Sequence, residues 1–338
     1  MKQNLIGSEE LELFYKDKFY FSYSSINKLL FSPSMFFNDY VLKQKEDSVD
    51  PHLVKGRVIH CLLLNPEDFE KDFIIVPGKL PSGNNKTVVD EIFKLHFNNL
   101  DGSTGLEDYE TDIINVLESI NLHQSLKTDE ARIKKILTED NISYFNFLQS
   151  SQNKTLIDEE SYAYCKVCVD SIKDNESVKA LLQLDNSDLE VYNEVPITID
   201  ELLYGKFAFG FKGILDNVVI DKEKKTLFIN DLKTTSKPLI DFPESVEYYR
   251  YWIQAALYYN LAFYRYIANK EDAVEWNILF TFVVVDKYNQ VYPFQVTPKT
   301  MSEWLKRFFE KVIEQVVYHY NEKDYTLPYE LAVEKLKL

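Results

Sequence analysis

The sequence predicts an α/β fold of the α+β kind, a mixed β-sheet flanked by helices. Three observations lead there. Strand-length runs rich in Val, Ile, Leu and Phe gather in the second half of the chain, bounded by turn residues. Apolar residues at helical spacing precede and follow them. The 338 residues, 45% of them hydrophobic, suffice for one large core, or at most two domains. We expect a single domain over 1–338, with a helical insertion carrying mobile loops at 78–153 and a helical tail at 297–338.

Taken in order, FSYSSINKLLFSPSMFFNDYVLK predicts a helix starting near Ser24–Ser25 and a second after Ser32-Pro33. A polar loop follows from Lys43 to Pro51. From His52 to Leu64, Leu53, Gly56, Ile59 and Leu63 recur at helical spacing, and Asn65-Pro66 ends that helix because proline disfavours helical geometry in the residue before it. The insertion holds turn signals at Pro81-Ser82-Gly83-Asn84-Asn85 and Asp101-Gly102-Ser103. Asp158-Glu159-Glu160 opens a helix running to about Lys173, and a short helix spans Ser177–Leu184. Glu190–Ile199, Phe207–Ile220 and Leu227–Thr235 read as three consecutive antiparallel strands. A long aromatic helix covers Val246–Ile267, a β-rich run Trp276–Val285, and an edge strand Gln290–Val296. The last helix is expected to start at the capping-box pattern Thr300-Met-Ser-Glu303.

Composition excludes several classes. No apolar run reaches the roughly 18 residues a membrane span needs. The opening MKQNLIGSEELELF lacks the regions of a signal peptide. Three cysteines without such a signal predict a reducing, cytoplasmic setting. Cys165 and Cys168 form a C-x-x-C, but no second pair completes a zinc or iron–sulfur site, so both are expected to be packing residues. The net charge of −16 opposes nonspecific attraction to phosphates. Any nucleic-acid chemistry therefore needs a local basic lining, or an oligomer that collects lysines in a channel. Lys55, Arg57, Lys206, Lys212, Lys233, Lys237 and Arg250 lie near the candidate segments.

Those segments are GILDNVV and INDLKTT. Asp216 and Asp231 lie nearly equidistant from the turn-like Asp221-Lys222-Glu223-Lys224-Lys225, so a hairpin folded there sets them side by side. The strand period of two places Lys233 on the same face as Asp231. Two carboxylates and an ammonium converging on one sheet face describe a divalent-metal site. Taken alone, D-x-K is a common string and more often marks a solvated strand.

From His52 the order is helix, three strands, helix, strand. With acids on the second and third strands, it resembles the PD-(D/E)XK nuclease superfamily and its restriction-endonuclease-like αβββαβ core. Gly56-Arg57-Val58-Ile59-His60 fits a G-x-x-x-H element, and Gln254-Ala-Ala-Leu-Tyr258 a Q-x-x-x-Y element, of the RecB-like and phage-exonuclease branches. Each pair shares a helix face, and Arg250 is expected to extend the second face by one turn. GRVIHCLLLNPEDFEKDFIIVP, DLKTT, YRYWIQAALY and SYSSINKLLFSP resemble phage and prophage exonucleases of the RecE, or exodeoxyribonuclease VIII, type. Leu215 stands where the superfamily is named for proline. Neighbouring branches hold a four-cysteine iron–sulfur cluster, which three cysteines cannot build.

The resemblance implies a role for each matched residue. Asp216, Asp231 and the Leu232 carbonyl, with His60, would hold Mg²⁺ or Mn²⁺. Lys233 would position or deprotonate water, with its pKa lowered by the nearby cation. Gln254 and Tyr258 would bond the phosphates or Lys233. Glu194, Arg57, Lys212 and Arg250 are candidates for a supporting acid or DNA contacts. The implied activity is metal-dependent exonuclease digestion of linear duplex DNA from its ends, 5′ to 3′, for phage-type recombination. The implied partners are duplex ends, a single-strand-annealing recombinase and further copies in a ring, with no membrane. Two other readings stand beside it: a RecB-like repair or defence nuclease cutting single strands or endonucleolytically, and a catalytically silent DNA-binding scaffold.

Overall fold

The computed structural model describes residues 8–44, 50–97, 104–185, 188–202 and 205–335. Eight strands are described: β1 Tyr20–Phe21, β2 Phe73–Ile75, β3 Thr155–Ile157, β4 Glu190–Leu202, β5 Gly205–Asp221, β6 Thr226–Thr235, β7 Asn277–Asp286 and β8 Val291–Val296. The chain divides into two units, one of Met1–Val49 with Asp170–Leu338 and one of Asp50–Val169.

The first unit is built on a six-stranded mixed sheet, ordered β1-β5-β6-β7-β8 with β4 on the other edge of β5. β4, β5 and β6 are consecutive antiparallel strands, whereas β6 and β7 run parallel and are joined through helices. On one face the core holds Phe211, Val218, Ile229, Phe282 and the helix Tyr251–Tyr266, whose Ile253, Ala256, Leu257 and Leu261 are fully buried. Ala255 and Ala262 on that helix are fully buried as well. The helix Glu176–Leu182 packs elsewhere on β5; Asn217 Nδ2 donates to the Leu182 carbonyl at 3.2 Å and Asn230 Nδ2 to the Leu181 carbonyl at 3.3 Å.

The edge of β5 that faces β6 is only partly filled. β6 pairs with β5 only over Asn217–Asp221, and β1 takes the same edge at Gly210–Phe211. Among the described residues no strand pairs with positions 212–216 on that side, so the sheet opens there into a fork.

The second unit is helical, with helices at Pro51–Leu64, Gly83–His96, Glu110–Ser119, Asp129–Ile136 and Glu139–Ser150 and the short parallel pair β2–β3. Val88, Ile92, Ile113, Leu117 and Phe145 form its own fully buried cluster.

Several local expectations are corrected. The helix expected over Val246–Ile267 is two, Phe242–Tyr248 and Tyr251–Tyr266, separated by Arg250 in the left-handed region at φ +57°. Arg250 therefore does not extend the Gln254–Tyr258 face by a turn. The last helix starts at Pro298 rather than at Thr300: Thr297 accepts the Thr300 N–H at 3.1 Å, and proline at the first position presets φ. Leu53 is 68% exposed; Val54, Val58, Ile59 and Leu63 carry the buried face of its helix. The turn expected at Pro81–Asn85 is instead a helix start at Gly83. The turn at Asp101-Gly102-Ser103 and most of the Lys43–Pro51 loop lie outside the described residues.

Candidate active site

The site is built where β5 and β6 part. The hairpin turns at Lys222–Lys225 and pairs in register from Asp221–Thr226 to Asn217–Asn230. Asp216 and Asp231 would be the next pair. Instead the Asp216 carboxylate reaches across and accepts the Leu232 N–H at 2.7 Å, replacing a ladder bond with a side chain. The alternation of β5 changes at the same point. Phe209, Phe211 and Leu215 join the core from odd positions, Val218 and Ile220 from even ones. Level with Asp216 on β4, Glu194 has φ +48°, a conformation that costs an L-residue about 1–2 kcal/mol. Glu194 and Asp216 each offer a carboxylate oxygen within 4.8 Å of the other.

Asp231 is wholly buried, at 0% exposure. Gln254 Nε2 donates to its Oδ1 at 2.9 Å, and the Lys233 ammonium ion-pairs with its Oδ2. The same ammonium lies 3.4 Å from the Leu232 carbonyl oxygen and 5.1 Å over the Tyr251 ring. Burial opposes its charge, but Asp231 and then Asp216 outweigh that, so its pKa stands above the ordinary lysine value. Without a bound cation, Lys233 is thus an ammonium. Tyr258 packs its ring onto β5 at Gly213, where an added Cβ would come within 2.7 Å of the ring. Burial, then Asp231 and Asp216, push its phenol far up, so it remains a hydrogen-bond donor.

Of the other candidates, His60 is half-buried on the helix Pro51–Leu64 of the second unit. In that unit the exposed Arg57 guanidinium lies 5.5 Å over Phe73, and Lys55 Nζ 5.4 Å over Tyr164. Lys212 is exposed on β5, and Lys206 is spent on Glu201 at 3.4 Å. Arg250 donates to Asn27 Oδ1 at 3.1 Å, a structural tie. Cys165 and Cys168 are buried thiols, the first pushed up to about 12 by burial and then by Cys168, so neither is a thiolate near neutral pH.

The donors fit a hard divalent cation. Glu194, Asp216, Asp231 and the Leu232 carbonyl offer only oxygen, the ligand type of Mg²⁺ and Mn²⁺. The Lys233 ammonium already rests on two of these oxygens as a stand-in cation. Two residues escaped sequence reasoning although a signal existed. Asn217 and Asn230 flank the acids in mirror order, D-N and N-D, and their side chains bond each other at 2.7 Å, fully buried. Tyr251 had no such signal among so many tyrosines.

No protein-family model matches the chain, and no curated protein matches it. The crystal structure of a candidate exonuclease from Eubacterium rectale aligns with a TM-score of 0.47 and 12% identity, over 99% of this chain and 95% of that one.

Proposed function

We propose that the chain is a divalent-metal-dependent nuclease that hydrolyses DNA. One observation supports this most: Asp216 and Asp231 converge with Lys233 where two core strands separate. Desolvating a carboxylate costs several kcal/mol, and neighbouring carboxylates repel. Three acids against one ammonium leave negative charge that a divalent cation would balance.

Asp216, Asp231, Glu194 and the Leu232 carbonyl would hold the cation, and the resemblance adds His60. When bound, Mg²⁺ or Mn²⁺ supplies charge neutralisation to a phosphate and acidifies water. Lys233 would hold the attacking water or a phosphate oxygen through its ammonium protons. Gln254 would fix Asp231 through Oδ1 so that Oδ2 keeps one orientation, and Tyr258 would offer a phenolic proton to the acids or to phosphate. The proposal extends, on the resemblance, to an exonuclease acting 5′ to 3′ from linear duplex ends. It would serve phage-type recombination as a ring beside an annealing recombinase, in the cytoplasm.

The test is digestion of end-labelled linear duplex with Mg²⁺ or Mn²⁺, beside Asp231→Asn and a chelator control. Labelled fragments should appear only with metal and the unaltered chain, and Asp231→Asn should lower the rate by at least about 100-fold. Wild-type digestion by Asp231→Asn would sink the reading. His60→Gln tests the imidazole separately, through the metal concentration needed for half-maximal rate.

A further inference from the structure

The aromatic rings beside Lys233 form a series leading to the surface. Tyr251 is half-buried under the ammonium. Tyr249 stacks on Tyr251 with centroids 5.5 Å apart and planes at 28°, and Tyr248 meets Tyr249 edge-on at 4.9 Å. Lys237 Nζ lies 6.0 Å over Tyr248. Exposure rises along the series, to 46% at Tyr249 and 76% at Tyr248.

The stack depends on the broken helix. In a continuous helix, positions 249 and 251 would point about 200° apart and their rings could not meet. Left-handed Arg250 between them brings both to one side. Two hydrogen bonds from the N-terminal region hold the break: Tyr23 Oη donates to the Tyr249 carbonyl at 2.6 Å, and Arg250 donates to Asn27. Tyr251 packs against Phe242 and Phe282 of the core, and a strained residue and two long-range bonds fix Tyr249 and Tyr248 outside it.

We infer that Tyr251, Tyr249 and Tyr248 form a stacking platform for the bases of a single nucleic-acid strand whose phosphodiester lies at Asp216, Asp231 and Lys233. This rests on the nuclease reading and adds the form in which substrate is engaged, an unpaired strand. Tyrosine faces stack on any base regardless of sequence, and cations at both ends of the series suit a backbone that passes over it. Of the acids on the short helix Phe242–Tyr248, exposed Glu247 is neutralised by Arg307 at 2.9 Å, while Glu244 remains exposed. Stacking also gives an acidic protein affinity that needs no phosphate neutralisation.

The experiment uses the full chain carrying Asp231→Asn, so that the probe survives, titrated with a labelled single-stranded DNA of about 12 nucleotides. Adding Tyr248→Ala and Tyr249→Ala should weaken binding by roughly ten-fold or more, by the same ratio at low and high salt. Tryptophan at both positions should restore it, and an abasic strand should bind the parent weakly. Equal affinity of alanine variant and parent, equal affinity for abasic and ordinary strands, or no binding at all overturns the platform. Cleavage is read apart: a wild-type chain that cuts no DNA with metal, yet loses strand binding on Tyr248→Ala/Tyr249→Ala, would refute the nuclease and keep the platform.

Discussion

Asp231 has no freedom. Gln254 holds one oxygen, Lys233 the other, and the carboxyl is sealed from water. Replacing Gln254 by Ala leaves Oδ1 without that donor and lets the carboxylate rotate. We expect metal-dependent cleavage to fall by about 10–100-fold, with half-maximal activity moved to higher metal concentration, as measured by metal titration. A rate change without that shift would show that Gln254 does not act through Asp231. A second residue links structure to pH. His319 is buried in the helix Glu314–Glu322, with Nδ1 2.6 Å from the Asp324 carbonyl, so the neutral ring donates there. Burial lowers its pKa more than the Asp324 carbonyl raises it. The unfolded chain therefore takes up a proton at a higher pH than the folded one, and stability present above about pH 6.5 is lost as pH falls toward the folded value. Urea midpoints should be flat from neutral upward and decline below that point, and His319→Gln should flatten the decline. An unchanged decline in that variant would assign it to other groups.

The elements around the site differ in how far the sequence reveals them. The β4–β5–β6 meander was legible because apolar runs and the charged turn at 222–225 leave one register, and register alone places Asp216 beside Asp231. The helix face bearing Gln254 and Tyr258 was legible from their spacing. The break at Arg250 was not, since nothing in EYYRYW marks a left-handed residue; contacts with Tyr23 and Asn27, more than 220 positions away, decide it. The fork was not legible either, because β1 is two residues long and is set by its pairing with Gly210 and Phe211 rather than by a pattern of its own. Glu194 stood out only as one acid in VYNEVPI, and nothing in that string marks its left-handed backbone. The Asn217–Asn230 pair ties the hairpin to the end of the helix Glu176–Leu182. Asn217→Ala removes the donors to the Leu182 carbonyl and to Asn193 Oδ1, 2.9 Å away, and the acceptor for Asn230. The cost should be about 1–3 kcal/mol in urea unfolding, because buried polar partners are left behind. A smaller loss, under about 0.5 kcal/mol, would mean water replaces the amide without penalty.

At the scale of the whole molecule, 54 acidic side chains face 38 basic ones, and a net charge of −16 repels a polyanion at long range. On the proposed function, binding would then come from the few lysines and arginines that act locally, together with any stacking at Tyr248 and Tyr249. Local phosphate contacts release counterions whatever the net charge of the protein, so the affinity of Asp231→Asn for duplex should still fall with salt. Three contacts would give a log–log slope of about −2.7. A flat response would remove phosphates from the interaction and leave the acids of the fork without a phosphodiester to act on. The unaltered chain separates end-dependent from internal cutting. If strands enter only from an end, the unaltered chain with Mg²⁺ should degrade a linear duplex and leave its covalently closed circle intact over the same time. Nicking the circle at a comparable rate would favour the repair or defence type of nuclease over the exonuclease.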